Sequence, residues 1–258
     1  MRNKKIQQVE NYVKSIMSKE VAHDFKHVDR VKNWALQIAE KESFENLEVV
    51  EISALMHDIG LSQVEKRNLH GEVGAEMAAK FLKDNNLLEQ DKISEVCNAI
   101  KFHNKNREGK GKLLQILRDA DILDLFGAVG IMRAFTSKSS KPEYNVADIK
   151  SETWQMRASD FDKRFDSSKG IGDFIVDQIN FQISCYDNLN TESAKKFAKP
   201  LVEFMKNYIK QLDTEINDGR KKRITTDMRF RSLRSLHPNC SLFGRTTSHI
   251  RNRYTQSA

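Results

Sequence analysis

The chain has 258 residues, of which 31% are charged and 39% hydrophobic, enough to bury a substantial core in one or two domains. No apolar run approaches the roughly 18 residues of a membrane span, and the start MRNKKIQQVENYVK is too charged for the apolar region of a signal peptide. Cys97, Cys185 and Cys240 are few, scattered and odd in number, without a zinc or CxxC pattern, which fits a reducing cytoplasmic setting.

In chain order, Ile6, Val9, Val13 and Ile16 recur at helical spacing, as do Val28, Val31, Ala35 and Ile38, with Asp24 as the N-cap of that second helix. Val49, Ile52 and Met56 predict a third helix, ended by Gly60 as a helix-terminating glycine. Further stripes run through Val73, Met77 and Phe81, through Ile93, Val96, Cys97 and Ile100, and through Leu114, Leu117 and Leu125. Three more helices are expected near residues 145–166, 171–188 and 191–217, the last kinked or divided by Pro200. With no alternating strand pattern and no internal repeat, the reading is an all-α globular domain over residues 1–219.

Residues 220–258 differ in character. They hold ten Lys or Arg against one acid, Asp227, so this tail carries +9 and the remainder of the +7 chain sums to −2. Arginine replaces lysine as the main base, glutamate is absent and apolar spacing is irregular, so a mostly disordered tail is expected. Its charge would hold nucleic acid or acidic lipid non-specifically, and an extension without a function of its own is an equal reading. The global charge is therefore no ground for a nucleic-acid-binding function.

The chemistry lies where polar residues interrupt the stripes. His27 stands four before Val31 and eleven before Ile38, and His57 stands three after Ala54 with Asp58 beside it. His70 precedes Val73 by three, His103 follows Ile100 by three, and Asp121 sits four from both Leu117 and Leu125. One such histidine is more often a hydrogen-bonded core residue than a ligand. Six ligand-type residues on inward faces are another matter, because buried carboxylates need compensating positive charge. A divalent cation supplies it, and imidazole and carboxylate are suitable ligands.

The ordered set HVDRV (27–31), ALMHDIG (54–60), HGEVGAEMA (70–78), IKFH (100–103) and LRDADILDLFGAVGI (117–131) resembles the HD-domain superfamily of metal-dependent phosphohydrolases. It is most similar to the small, stand-alone, nucleotide-hydrolase-like branch, whose closing helix is matched by residues 188–216. The resemblance implies an HD-domain helical bundle. It also implies His27, His57, Asp58 and Asp121 as metal ligands, with His70 and His103 as the extra histidines of two-metal members. Manganese, iron, cobalt or magnesium, one or two ions per site, would be the cofactor. His23 matches a family motif whose role it leaves open. The acidic residue some members carry shortly after HD is missing, since Leu61 and Ser62 stand there.

The implied function is hydrolysis of a phosphate ester or anhydride of a nucleotide or similar small molecule by a metal-activated hydroxide. Asp58 and Asp124 are the expected catalytic residues, Asp124 either as a proton-transfer group or as support for a ligand. Arg30, Lys105 and Arg107 are expected at the substrate phosphates, and Lys66, Arg67, Lys110, Lys112 and Arg118 offer further basic groups. Each has a plain alternative as an ordinary surface charge or partner of a nearby acid. Asp119 is out of phase and reads as structural, and Glu76 with Lys80 reads as a surface pair. GKGK lacks the phosphate-loop pattern, and Cys185 has no histidine at suggestive spacing. Two other classes share the pattern: a diiron oxygenase of the same superfamily, and a nucleotide-sensing or nucleic-acid-binding HD protein.

Overall fold

Residues 4–17, 24–105 and 108–235 are described by the computed structural model, with side chains as far as Asp218. The described residues form ten α-helices and no strand, so the all-α reading holds. In order they are α1 (Lys4–Ile16), α2 (Phe25–Lys41), α3 (Leu47–Met56), α4 (His70–Asp84), α5 (Gln90–Phe102), α6 (Lys112–Leu123), α7 (Gly127–Ser137), α8 (Ala158–Asp166), α9 (Ile175–Ser184) and α10 (Glu192–Ser235). Short 3-10 turns cover Ile59–Ser62, Arg67–Leu69 and Cys185–Asn188. No described helix is long and apolar enough to cross a membrane.

The apolar stripes meet in one core that runs from Ile6 and Val9 through Ile38, Ile52, Leu82 and Leu117 to Met205 and Ile209. α2 packs on α3 and α6, and α4 packs on α5. Asp24 caps α2 as its sequence position suggests, accepting from the backbone N–H of Lys26 and His27. Asp119 is buried and ties α6 to the chain entering α10, accepting from the N–H groups of Asn190 and Thr191 and from the Thr191 hydroxyl.

Several expectations change. The inward face of α4 is Gly71, Gly74, Ala75, Ala78 and Leu82, while Val73, Met77 and Phe81 are half-buried. Lys80 pairs with Asp84, not Glu76, at 2.8 Å. The stripes did not single out α7, whose Met132 is exposed and whose Val129 and Phe135 are part-exposed. The helix expected over residues 145–166 begins only at Ala158. Before it, Ser151 and Gln155 adopt left-handed φ angles of 66° and 64°, which no helix accepts. The Ser151 and Thr153 hydroxyls donate to buried Asp177 instead, at 2.5 and 2.6 Å.

Pro200 does not divide α10. It removes one backbone hydrogen bond, but its side is exposed, and Ala194, Ala198, Val202, Met205 and Ile209 bury the opposite face. The helix also passes residue 219 and continues to Ser235, where disorder was expected. Residues 221–235 contain neither glycine nor proline, so nothing in them stops helix propagation. The chain divides into two compact units, one ending at Asp213 and one starting at Thr214. Residues 236–258, with the expectations placed on them, lie outside the described residues.

Candidate metal centre

Two glycines let the helices close on one point. Gly60 lies in the turn after α3 and is not a left-handed terminator, for it is absent from the positive-φ glycines. A Cβ there would lie 2.1 Å from the His70 carbonyl oxygen and 2.6 Å from the Gly74 nitrogen. A Cβ on Gly71 would lie 2.7 Å from the Lys101 carbonyl oxygen and 2.8 Å from Asn104. The residues are small so that the start of α4 can lie against both the turn after α3 and the end of α5. His70 is thereby carried up to Asp58 and His103.

All six candidate ligands converge. Asp58 Oδ2 lies 3.5 Å from both His27 Nε2 and His57 Nε2. Its other oxygen, Oδ1, lies 3.3 Å from His70 Nε2 and 3.6 Å from His103 Nε2. Asp121 Oδ1 approaches His27 Nε2 to 3.5 Å. Two overlapping groups result, His27–His57–Asp121 and His57–Asp58–His103, each able to hold a metal ion. His27, His57, Asp58 and His103 are buried, whereas the Asp121 side chain is 35% exposed and marks the open side.

Each imidazole has its other nitrogen tied down. His57 Nδ1 donates to the Ala54 carbonyl at 2.8 Å and His103 Nδ1 to the Ile100 carbonyl at 2.7 Å. Both histidines follow the last residue of a helix, α3 or α5, and take up a carbonyl that the ending helix leaves unpaired. His70 Nδ1 donates to the Arg67 carbonyl, and His27 Nδ1 to Asp124 Oδ2 at 2.7 Å. These acceptors carry no proton, so the proton of each neutral ring sits on Nδ1 and the Nε2 lone pair points inward. The Nε2 atoms of His27 and His57 are 3.2 Å apart, and those of His70 and His103 are 3.0 Å apart. Lone pairs at that separation repel unless a proton or cation lies between them, so the donor set fits a metal ion.

The protonation tendencies agree. Burial opposes charge on His57, yet the Asp58 and Asp121 carboxylates outweigh it and raise its pKa to about 9. His27 and His70 are likewise lowered by burial and raised further by Asp124 and Asp58 respectively, with a net rise. The two carboxylates call for positive charge in the centre, and a divalent cation would replace the protons.

Asp124 has counter-ions of its own. It is 1% exposed and accepts from Arg30 Nε at 2.6 Å, from Arg30 Nη2 at 3.0 Å and from Arg133 Nη1. Burial pushes its carboxyl up, but His27 and the two arginines hold it below the usual range. Its oxygens are thus engaged in holding His27, not poised for proton transfer. Arg30, expected at a phosphate, is committed to Asp124. Arg118 is likewise occupied by the carbonyls of Phe102, Lys105 and Glu108. Lys105 pairs with Glu72 at 2.7 Å, and Lys112 with Glu42. His23 and Arg107 lie outside the described residues. Burial pushes the thiols of Cys97 and Cys185 up to about 11 and 12, which leaves them unreactive.

Arg133 was missed. It stands on α7, nine residues beyond Asp124, and neither spacing nor stripe distinguishes it from a surface arginine.

Residues 24–125 match the HD domain family. The uncharacterized protein YpgQ of Bacillus subtilis is 28% identical over 228 residues, covering 83% of this chain and 94% of the relative. Among solved structures, YpgQ in complex with ADP aligns with a TM-score of 0.58 at 24% identity, over 82% of this chain and 95% of that one. An HD-superfamily hydrolase from Bacillus thuringiensis aligns at 0.59 and 23% identity, over 83% and 97%.

Proposed function

We propose, from the match of residues 24–125 to the HD domain family, that the protein is a metal-dependent phosphohydrolase acting on a nucleotide or a similar small phosphate ester or anhydride. One observation carries the reading: four Nε2 lone pairs and the carboxylates of Asp58 and Asp121 converge, each imidazole fixed from behind. His27, His57, Asp121 and Asp58 Oδ2 would hold one ion, and Asp58 Oδ1, His70 and His103 a second. Divalent ions supply charge neutralisation at phosphoryl oxygens and hydroxide near neutral pH.

The chain's own residues then divide the work. Asp58 bridges the two halves through separate oxygens. Asp124 positions His27, and Arg30 and Arg133 keep Asp124 ionised. The substrate would approach on the side where Asp121 is exposed. Lys105, two residues beyond His103, is a candidate phosphate contact, and that contact requires it to exchange Glu72 for the ligand. That YpgQ was crystallised with ADP supports a nucleotide as the class of substrate.

The test is a product-resolved hydrolysis panel with Mn²⁺, offering nucleoside tri-, di- and monophosphates, dinucleotides and a generic phosphate ester. Turnover that needs metal and disappears in Asp58→Ala is expected. Full activity in metal-loaded Asp58→Ala would overturn the assignment. The ligand set suits iron equally, so silence across the panel together with iron-dependent oxygen uptake would favour an oxygenase.

A further inference from the structure

Away from the six converging residues, a groove of about 670 Å³ opens between the irregular stretch before α8, the turn after α9 and one face of α10. Its walls combine two aromatic side chains, Trp154 and Tyr186, with Lys199, Lys206 and Lys210. The lysines are spaced seven and four residues apart on α10, so all three stand on the helix face that also turns Val202 towards the groove. Two acids share the lining and both are engaged. Glu203 lies 4.0 Å from Lys210, and Asp187 accepts from the Ala158 N–H at 3.3 Å. Lys199 and Lys206 have no ion-pair partner among the described residues.

The loop that presents Trp154 is held with unusual care. Ser151 and Gln155, on either side of it, are both left-handed without being glycine, and such residues persist only where the surroundings fix them. Here the fixing is a buried polar staple from α9. Asp177, 1% exposed, accepts from the Ser151 and Thr153 hydroxyls, and Asn180, 3% exposed, donates to the Lys150 carbonyl and to Thr153 Oγ1. The cost of burying Asp177 and Asn180 is met by a loop that holds a half-buried indole at the groove. An aromatic face supported in this way, with unpaired ammonium groups across from it, suits a ligand that joins a planar ring to separate anionic groups.

We infer that this groove is a binding site for a nucleoside polyphosphate, with the base against Trp154 and Tyr186 and the phosphates on Lys199 and Lys206. The site uses none of the converging histidines or aspartates, so its occupancy needs no metal.

The experiment measures ADP binding to the full chain in EDTA. It uses equilibrium dialysis, together with quenching of Trp154 emission in a Trp34→Phe background. Saturable metal-free binding is expected, unchanged in Asp58→Ala and weakened at least tenfold in a Lys199→Glu/Lys206→Glu double variant. Both substitutions lie on the surface of α10 and leave its buried face intact, and circular dichroism verifies the fold. Trp154→Ala, read by dialysis, is expected to weaken ADP more than inorganic tripolyphosphate. Absence of metal-free binding, its loss in Asp58→Ala, or its survival in the double variant would overturn the inference. So would tripolyphosphate competing as well as ADP. A silent hydrolysis panel would not alter any of these results, so the two readings fail separately.

Discussion

The two halves of the candidate metal centre are built by different devices. In the His27–His57–Asp121 half, His57 rests on the Ala54 carbonyl but His27 is braced by charge. Behind His27 stands Asp124, and behind Asp124 stand two arginines. The His70–His103 half is braced by backbone, with both Nδ1 atoms on main-chain carbonyls and α4 admitted by Gly60 and Gly71. Charge bracing fixes a ring firmly but fails when one partner is removed, since a buried ion is left alone. Backbone bracing survives side-chain changes nearby and fails when the helix is pushed away. Asp58 belongs to both halves, one oxygen to each.

The largest effect is therefore expected where the halves meet. Asp58→Ala should abolish turnover and metal retention while the far-ultraviolet spectrum stays helical; a helical variant that keeps both would contradict the bridging role. Next is the charge-braced half. Asp124→Asn leaves Arg30 and Arg133 facing a neutral amide and should cost about 3 kcal/mol of stability and weaken metal binding roughly 10–100-fold. Denaturant titration and competition with a metal indicator check the two losses. The backbone-braced half should respond to crowding. Gly71→Ala must displace α4 from α5, at about 1–3 kcal/mol, and should reduce the bound metal towards one ion per chain while leaving the first half loaded. Metal analysis after dialysis reads this directly.

The smallest effect comes from a charge outside both halves. Glu42 accepts from Lys112 and from Ser193, which lower its pKa from 4.5 to about 2. A depressed carboxyl contributes stability above its unfolded pKa and loses it as the pH falls through the folded one. Glu42→Gln should cost about 1 kcal/mol at pH 7. The gap between variant and parent should close between pH 4.5 and 2, with metal content unchanged. A gap that widened on acidification would reverse the sign.

What could be read in the sequence was phase. His27, His57, His103 and Asp121 each broke an apolar stripe, with Asp58 beside His57; His70 was placed against Val73 and Met77, which are not the inward face of α4, yet the structure brings all six together. What could not be read was support. Ala54, Arg67 and Ile100 contribute through their carbonyls, which any residue carries, so no side-chain pattern announces them. Arg30 looked like a phosphate contact and Arg133 went unnoticed because the carboxylate they share, Asp124, lies 94 and 9 residues away in the chain. Gly60 illustrates the same limit. A glycine at a helix end suggests a left-handed cap, whereas here it gives room for another helix whose approach is set by tertiary packing. The irregular stretch before α8 was hidden for a related reason, since Asp177 on α9 claims hydroxyls that a helix would have turned to solvent.

Whether Asp58 joins two ion sites is read from the number of Mn²⁺ ions bound per chain in the parent, His70→Ala and His27→Ala proteins. Two ions are expected in the parent, one in His70→Ala and none retained at the charge-braced half in His27→Ala. One ion in the parent and one in His70→Ala would contradict the two-site arrangement.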